Sequence, residues 1–182
     1  MKTTNKYGLL LVVLINWMSF ANVMYSQKLE DMTNGTFNLT TVVNNKIVHY
    51  QSTDLVVELD LQTAQFTMIL DPQNIKTGID SLDKIIRTRK EVFRMVGELG
   101  IKHIPIEKHP PLEFEVSARV QDETIGYLEG EGELTYVFNG MYSSILTIVF
   151  NTDLKTLGLN DFIPAQFQNV ELFIKCPIPN MS

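Results

Sequence analysis

Covalent reinforcement and redox chemistry are almost missing from this sequence. One cysteine, Cys176, occurs in 182 residues, so no internal disulfide can form and stability must come from packing. Basic residues are also in deficit, with 15 Lys and Arg against 21 Asp and Glu and a formal charge of −6. That excess repels polyphosphates, which excludes a nucleic-acid partner unless positive charge is concentrated somewhere. The only dense basic run, Lys84, Arg87, Arg89, Lys90 and Arg94, is interleaved with Asp80, Asp83 and Glu91, the mixture of a solvated helix face. No Gly-x-Ser-x-Gly elbow, phosphate-cradling glycine loop or dinucleotide fingerprint is present, so the sequence gives no enzyme a starting point.

Long apolar runs are scarce as well. The one from Gly8 to Ile15 is too short for a permanent bilayer span, but it follows Lys2 and Lys6 and precedes Ser19, Ala21 and Ser26. That is the layout of a secretory signal over residues 1–26, cleaved after Ala21 or after Ser26, and it predicts a periplasmic or secreted product. No cysteine near the cleavage region supports lipoprotein attachment. Loss of Lys2 and Lys6 leaves 13 basic and 21 acidic residues, a formal charge of −8. What remains, 27–182, has no repeat or linker and reads as a single domain. At 45% hydrophobic and 20% charged overall, the chain has a globular composition.

What the sequence does have is strand signal. Gly35 to Val43 and Lys46 to Tyr50, parted by Asn44-Asn45, read as a hairpin. Leu55, Val57 and Leu59 alternate with polar or smaller neighbours, and Phe66, Met68 and Leu70 do the same before Asp71-Pro72. From Asp80 to about Leu99 the period changes: Leu82, Ile85, Ile86, Val92, Phe93, Val96 and Leu99 fit one helical face, with Asp80 or Ser81 as cap and Gly100 as stop. Strand signals resume over Glu113 to Arg119, Ile125 to Leu128, Glu133 to Phe138, Ser144 to Phe150 and Val170 to Ile174. Eight or nine closely spaced strands imply antiparallel pairing in a barrel or a sandwich.

Asn74-Ile75-Lys76-Thr77-Gly78 followed by Asp83 and Ile86, Pro111 with Phe114, and Gly132-Glu133-Leu134-Thr135-Tyr136 occur in an order that resembles the YceI-like family. The chain departs from that pattern at Ile85, where the family has a helix histidine, and in lacking the family's opening Asp-x-x-His-Ser. The resemblance implies an all-β fold with one helical excursion, an eight-stranded antiparallel lipocalin-like barrel holding a long apolar molecule such as a polyisoprenoid. It implies binding without catalysis and without a cofactor. The lining it implies comes from the dry strand faces: Leu55, Val57, Leu59, Phe66, Met68, Leu70, Phe114, Val116, Tyr136 and Phe138. Met68 and Met141 are flexible enough to adapt to an irregular ligand. The same period-two faces also suit an ordinary packed core, which leaves a second reading, a β-sandwich interaction module of the cell envelope with a solid interior.

The remaining chemistry is thin. His103, Glu107 and His109 share a loop but make a weak metal signal, and no metal site is expected. Cys176, beside Pro177 and far from any helix start, reads as a buried or idle thiol. Asn34, Asn38 and Asn180 begin glycan-acceptor triplets that a bacterial envelope would not use. Membrane contact, if the chain carries a lipid, is transient.

Overall fold

The computed structural model describes residues 30–88, 90–120, 126–160, 163 and 169–180. The expected signal segment, 1–26, lies outside them. Eight strands form one closed antiparallel barrel in simple chain order: β1 (Glu30–Val43), β2 (Lys46–Asp60), β3 (Gln65–Leu70), β4 (Phe93–Leu99), β5 (Leu112–Val120), β6 (Tyr127–Tyr136), β7 (Tyr142–Asp153) and β8 (Asn169–Pro179). The last strand returns to the first, pairing Phe37 with Ile174 and Leu39 with Leu172. Closure removes both sheet edges, so the sandwich alternative does not hold.

Local chemistry explains most of the path. Asn44 and Asn45 both take positive φ, 50° and 60°, the mirror-image turn whose twist matches a hairpin. Along every strand, apolar side chains on one face point inward. Phe37, Leu39, Tyr50, Val57, Leu59, Met68, Met95, Leu134, Leu146, Ile148, Phe150, Leu172 and Ile174 are all buried in this interior. Up-and-down order also sorts the connections. The β1–β2, β3–β4, β5–β6 and β7–β8 connections meet at one end, and the β2–β3, β4–β5 and β6–β7 connections at the other.

The predicted helix over 80–99 is corrected by the structure. Only α1 (Asp80–Ile86) is helical, and Phe93–Leu99 is strand β4. Phe93, Met95 and Leu99 satisfy a two-residue period, with Gly97 completing the face, while Val92 is 51% exposed. Pairing with β3 and β5 on both sides outweighs the helical spacing that Phe93 and Leu99 also allow. Neither Asp80 nor Ser81 caps α1; its N-cap is Ile79, with no side-chain bond. Gly100 instead follows β4, donating its N–H to the Glu115 carbonyl at 2.7 Å. Two pairs of sequence signals merge: 46–50 with 55–60 into β2, and the signals at 125–128 and 133–138 into β6, which spans Tyr127–Tyr136. Among the described residues no helix is long and apolar enough to cross a membrane.

Candidate functional site

The end of the barrel at which β3 and β4 are joined is covered. Asp71 starts the cover by accepting from Gln73 N–H at 2.9 Å, and a single 3-10 turn, Pro72–Asn74, follows. The chain then touches β2 again, Gln51 and Lys76 exchanging two backbone bonds of 2.9 and 2.8 Å. Gly78 turns it with φ 72°, a conformation that favours glycine. Asp83 in α1 locks the segment, accepting from Thr77 N–H at 2.8 Å and from Thr77 Oγ1 at 2.6 Å. Thr77, Gly78 and Asp83 of the sequence motif thus hold a cover in place.

Leu82 and Ile86 of α1 face inward, and Ile85 is 41% exposed. Beneath the cover lies an enclosed apolar pocket of about 20 Å³, walled by Phe37, Tyr50, Leu70, Ile75, Ile86 and Phe93 with Leu159 and Ile163 of the β7–β8 connection. Phe37 and Phe93 meet edge to face, their centroids 6.3 Å apart. Asp153 anchors the β7–β8 connection by accepting from Thr156 N–H and Oγ1 at 2.8 and 2.9 Å. The Thr156 backbone donor is the main reason its carboxyl lies below the usual value. Burial, and next the charge of Asp83, push the Tyr50 phenol up to about 12.

The rest of the bore is filled by side chains. Three inward glycines accept aromatic rings where a Cβ would stand: Phe66 lies over Gly97, Phe150 over Gly130 and Phe114 over Gly132. Larger spaces of about 520 Å³ exist, but they are open grooves on the outer wall, bordered by Glu58, Glu98, Ser117, Arg119, Glu129 and Glu131. A wet, charged wall does not dehydrate an apolar guest, so the small dry pocket is the better candidate in spite of its size.

Eight of the ten expected lining residues share the interior. Leu55, Val57, Leu59, Phe66, Met68, Leu70 and Val116 are buried, and Phe114 is half-buried against the core. Tyr136 is half-buried at the other end of the barrel. Phe138 is a correction: it stands beyond the end of β6, is 58% exposed, and stacks on Tyr136 at 6.4 Å. The two-residue period fails there because β6 ends at Tyr136. Met141, in the turn that follows, is 67% exposed, so the flexible sulfur expected near a ligand faces outward. Phe37, Tyr50, Ile75 and Ile86, which wall the enclosed pocket, were not in the expected lining. Tyr50 closes a strand signal and carries no mark of its own, whereas Ile75 and Ile86 lie in the segment that carries the resemblance.

At the end opposite the cover, His109 contacts fully buried Ser144. Its Nδ1 is 2.7 Å from the Pro110 carbonyl, which only accepts, so Nε2 accepts from the Ser144 hydroxyl at 3.2 Å. A Ser–His contact suggests a nucleophile, but Ser144 is sealed on β7 between Tyr136 and Ile178 of its neighbours. The bond pins the β4–β5 connection across this mouth. Among the described residues no three His, Cys, Asp or Glu side chains converge on a metal position. Cys176 is fully buried, and burial pushes its thiol up to about 12, far from a nucleophile.

No family model and no curated protein matches the sequence. Among solved structures, the chain is similar to a polyisoprenoid-binding domain from Saccharophagus degradans implicated in plant cell wall breakdown, with a TM-score of 0.60. The likeness covers 82% of this chain and 99% of that one, at 9% sequence identity. The two share a fold: an eight-stranded antiparallel barrel of lipocalin-like form with a helical excursion.

Proposed function

We infer that the protein binds a long-chain apolar molecule, an isoprenoid or related lipid, inside its barrel and leaves it chemically unchanged. The observation that carries this reading is the shared fold with a polyisoprenoid-binding domain, found on a barrel whose inward faces are apolar strand after strand. Each methylene moved from water into such a bore contributes roughly 0.8 kcal/mol, so chain length alone supplies affinity. The leader pattern of residues 1–26 and the acidic mature chain suit an exported carrier, soluble in water and loaded with an insoluble guest.

A pocket of about 20 Å³ is more than tenfold smaller than the roughly 300 Å³ at which ligand sites begin. Uptake on this reading therefore requires movement: the segment from Pro72 to Thr88 lifts, and the phenylalanine rings swing off their glycines. The filled interior also favours a second reading, a solid barrel that acts through its outer surface. Organic extraction of the purified protein followed by mass spectrometry separates them. A carrier yields a lipid near one per chain, and an emptied, refolded sample takes up prenyl chains. Neither result would be obtained from a solid barrel.

A further inference from the structure

Of the described residues that wall the enclosed pocket, Tyr50 is the one with a polar side-chain atom. It is fully buried, and its hydroxyl has no hydrogen-bond partner among the described residues. A phenylalanine of the same shape would fill the site without stranding that oxygen, so packing does not account for the tyrosine. Its neighbours Phe37, Leu70, Ile75, Ile86 and Phe93 offer no acceptor, and the Asp83 carboxylate is held by Thr77. A second orphan lies close by in the ladder: Thr41 pairs with Val48 while Leu39 pairs with Tyr50, placing Thr41 diagonally across from Tyr50. Thr41 is 4% exposed and its Oγ1 is likewise unpartnered.

The geometry points to Tyr50 as a hydrogen-bond donor to a neutral oxygen, a carbonyl or ether, that ends the bound apolar chain at the covered end of the barrel. The deduction rests on the carrier reading above and narrows its ligand class. The phenol is protonated at neutral pH and therefore has a hydrogen to give. Charge argues against a phosphate, since among the described residues walling the pocket there is no Lys or Arg and Asp83 acts on Tyr50 through its negative charge. An anionic head would be buried without a counter-ion, whereas a ketone or ether needs only the one donor.

Three farnesyl-chain probes test this by calorimetric titration of the full chain and of Tyr50→Phe: farnesylacetone, which ends in a ketone; farnesene, a hydrocarbon; and farnesyl phosphate. The native chain binds farnesylacetone at least about tenfold more tightly than the other two, the fold-change of one well-made hydrogen bond. Tyr50→Phe keeps its affinity for farnesene and loses that preference. Its Tm stays level or rises by a few degrees, because an unpartnered hydroxyl has been removed. Equal binding of ketone and hydrocarbon by the native chain, an undiminished preference in Tyr50→Phe, or tightest binding of the phosphate overturns the role of Tyr50 and leaves the carrier reading standing. A native chain that binds none of the three brings down both.

Discussion

Cys176 and Tyr50 carry their ionisable groups into the barrel in neutral form, and that has a consequence at alkaline pH. Burial raises the thiol from 9.0 to about 12, and burial with the nearby Asp83 charge raises the phenol from 10.0 to about 12. An unfolded chain releases these protons near pH 9 and 10 while the folded chain keeps them. Stability is therefore full below pH 9 and falls as pH rises toward 12, at about 1.4 kcal/mol per pH unit for the thiol. Urea midpoints measured from pH 8 to 11 are expected to decline from pH 9 onward in the native chain. Cys176→Ala delays the decline until about pH 10, and Tyr50→Phe removes the additional steepening above that point. A decline that neither substitution changes would mean that other groups are responsible. The sequence left Cys176 as a buried or idle thiol beside Pro177, past the strand signal that ends at Ile174, and it is the continuation of β8 to Pro179 that buries it. The place of Tyr50 was not legible, since nothing local distinguishes a tyrosine facing a pocket from one facing water.

Strand β6 shows how an element stores space. Its glutamates at 129, 131 and 133 face solvent, and the glycines between them leave slots that Phe150 and Phe114 fill. Gly132→Ala puts a methyl into the Phe114 ring and against Val116, and is expected to lower stability by about 1–3 kcal/mol through overpacking. Phe150→Ala, at a fully buried position, costs about 3–5 kcal/mol and leaves a dry cavity beside Gly130. If rings over glycines are the plug, that variant takes up a short apolar probe such as farnesene more readily than the native chain, a gain that titration calorimetry would reveal. The alternation of β6 was plain in the sequence, but the rings that cover its glycines come from β5 and β7, and only pairing brings them there. Strand β4 was misread for a related reason. Phe93 and Leu99 fit two periods, and the choice between them is made by β3 and β5, which lie at a distance in sequence.

At the scale of the whole molecule, antiparallel order followed from the close spacing of strand signals, which left barrel and sandwich both open; closure was implied only by the resemblance, whose segment holds Thr77, Gly78 and Asp83 together. Volume did not follow, because whether a bore is hollow depends on how rings from different strands interlock. The connection between β3 and β4 decides what that closed tube can do. It is tied to the wall by the Gln51–Lys76 bridge, whose paired backbone bonds place the two Cα atoms at about 5.5 Å, within the span of a disulfide. Since Cys176 is buried, a Gln51→Cys, Lys76→Cys double variant joins these two new thiols when oxidised. If a guest enters by lifting the cover, the oxidised variant fails to load farnesylacetone while its reduced form loads as the native chain does. Loading that is equally fast in both states would show that the cover stays down and that entry is by the opposite mouth, where His109 holds Ser144. In that event His109→Ala, which frees the β4–β5 connection, is the variant expected to speed uptake.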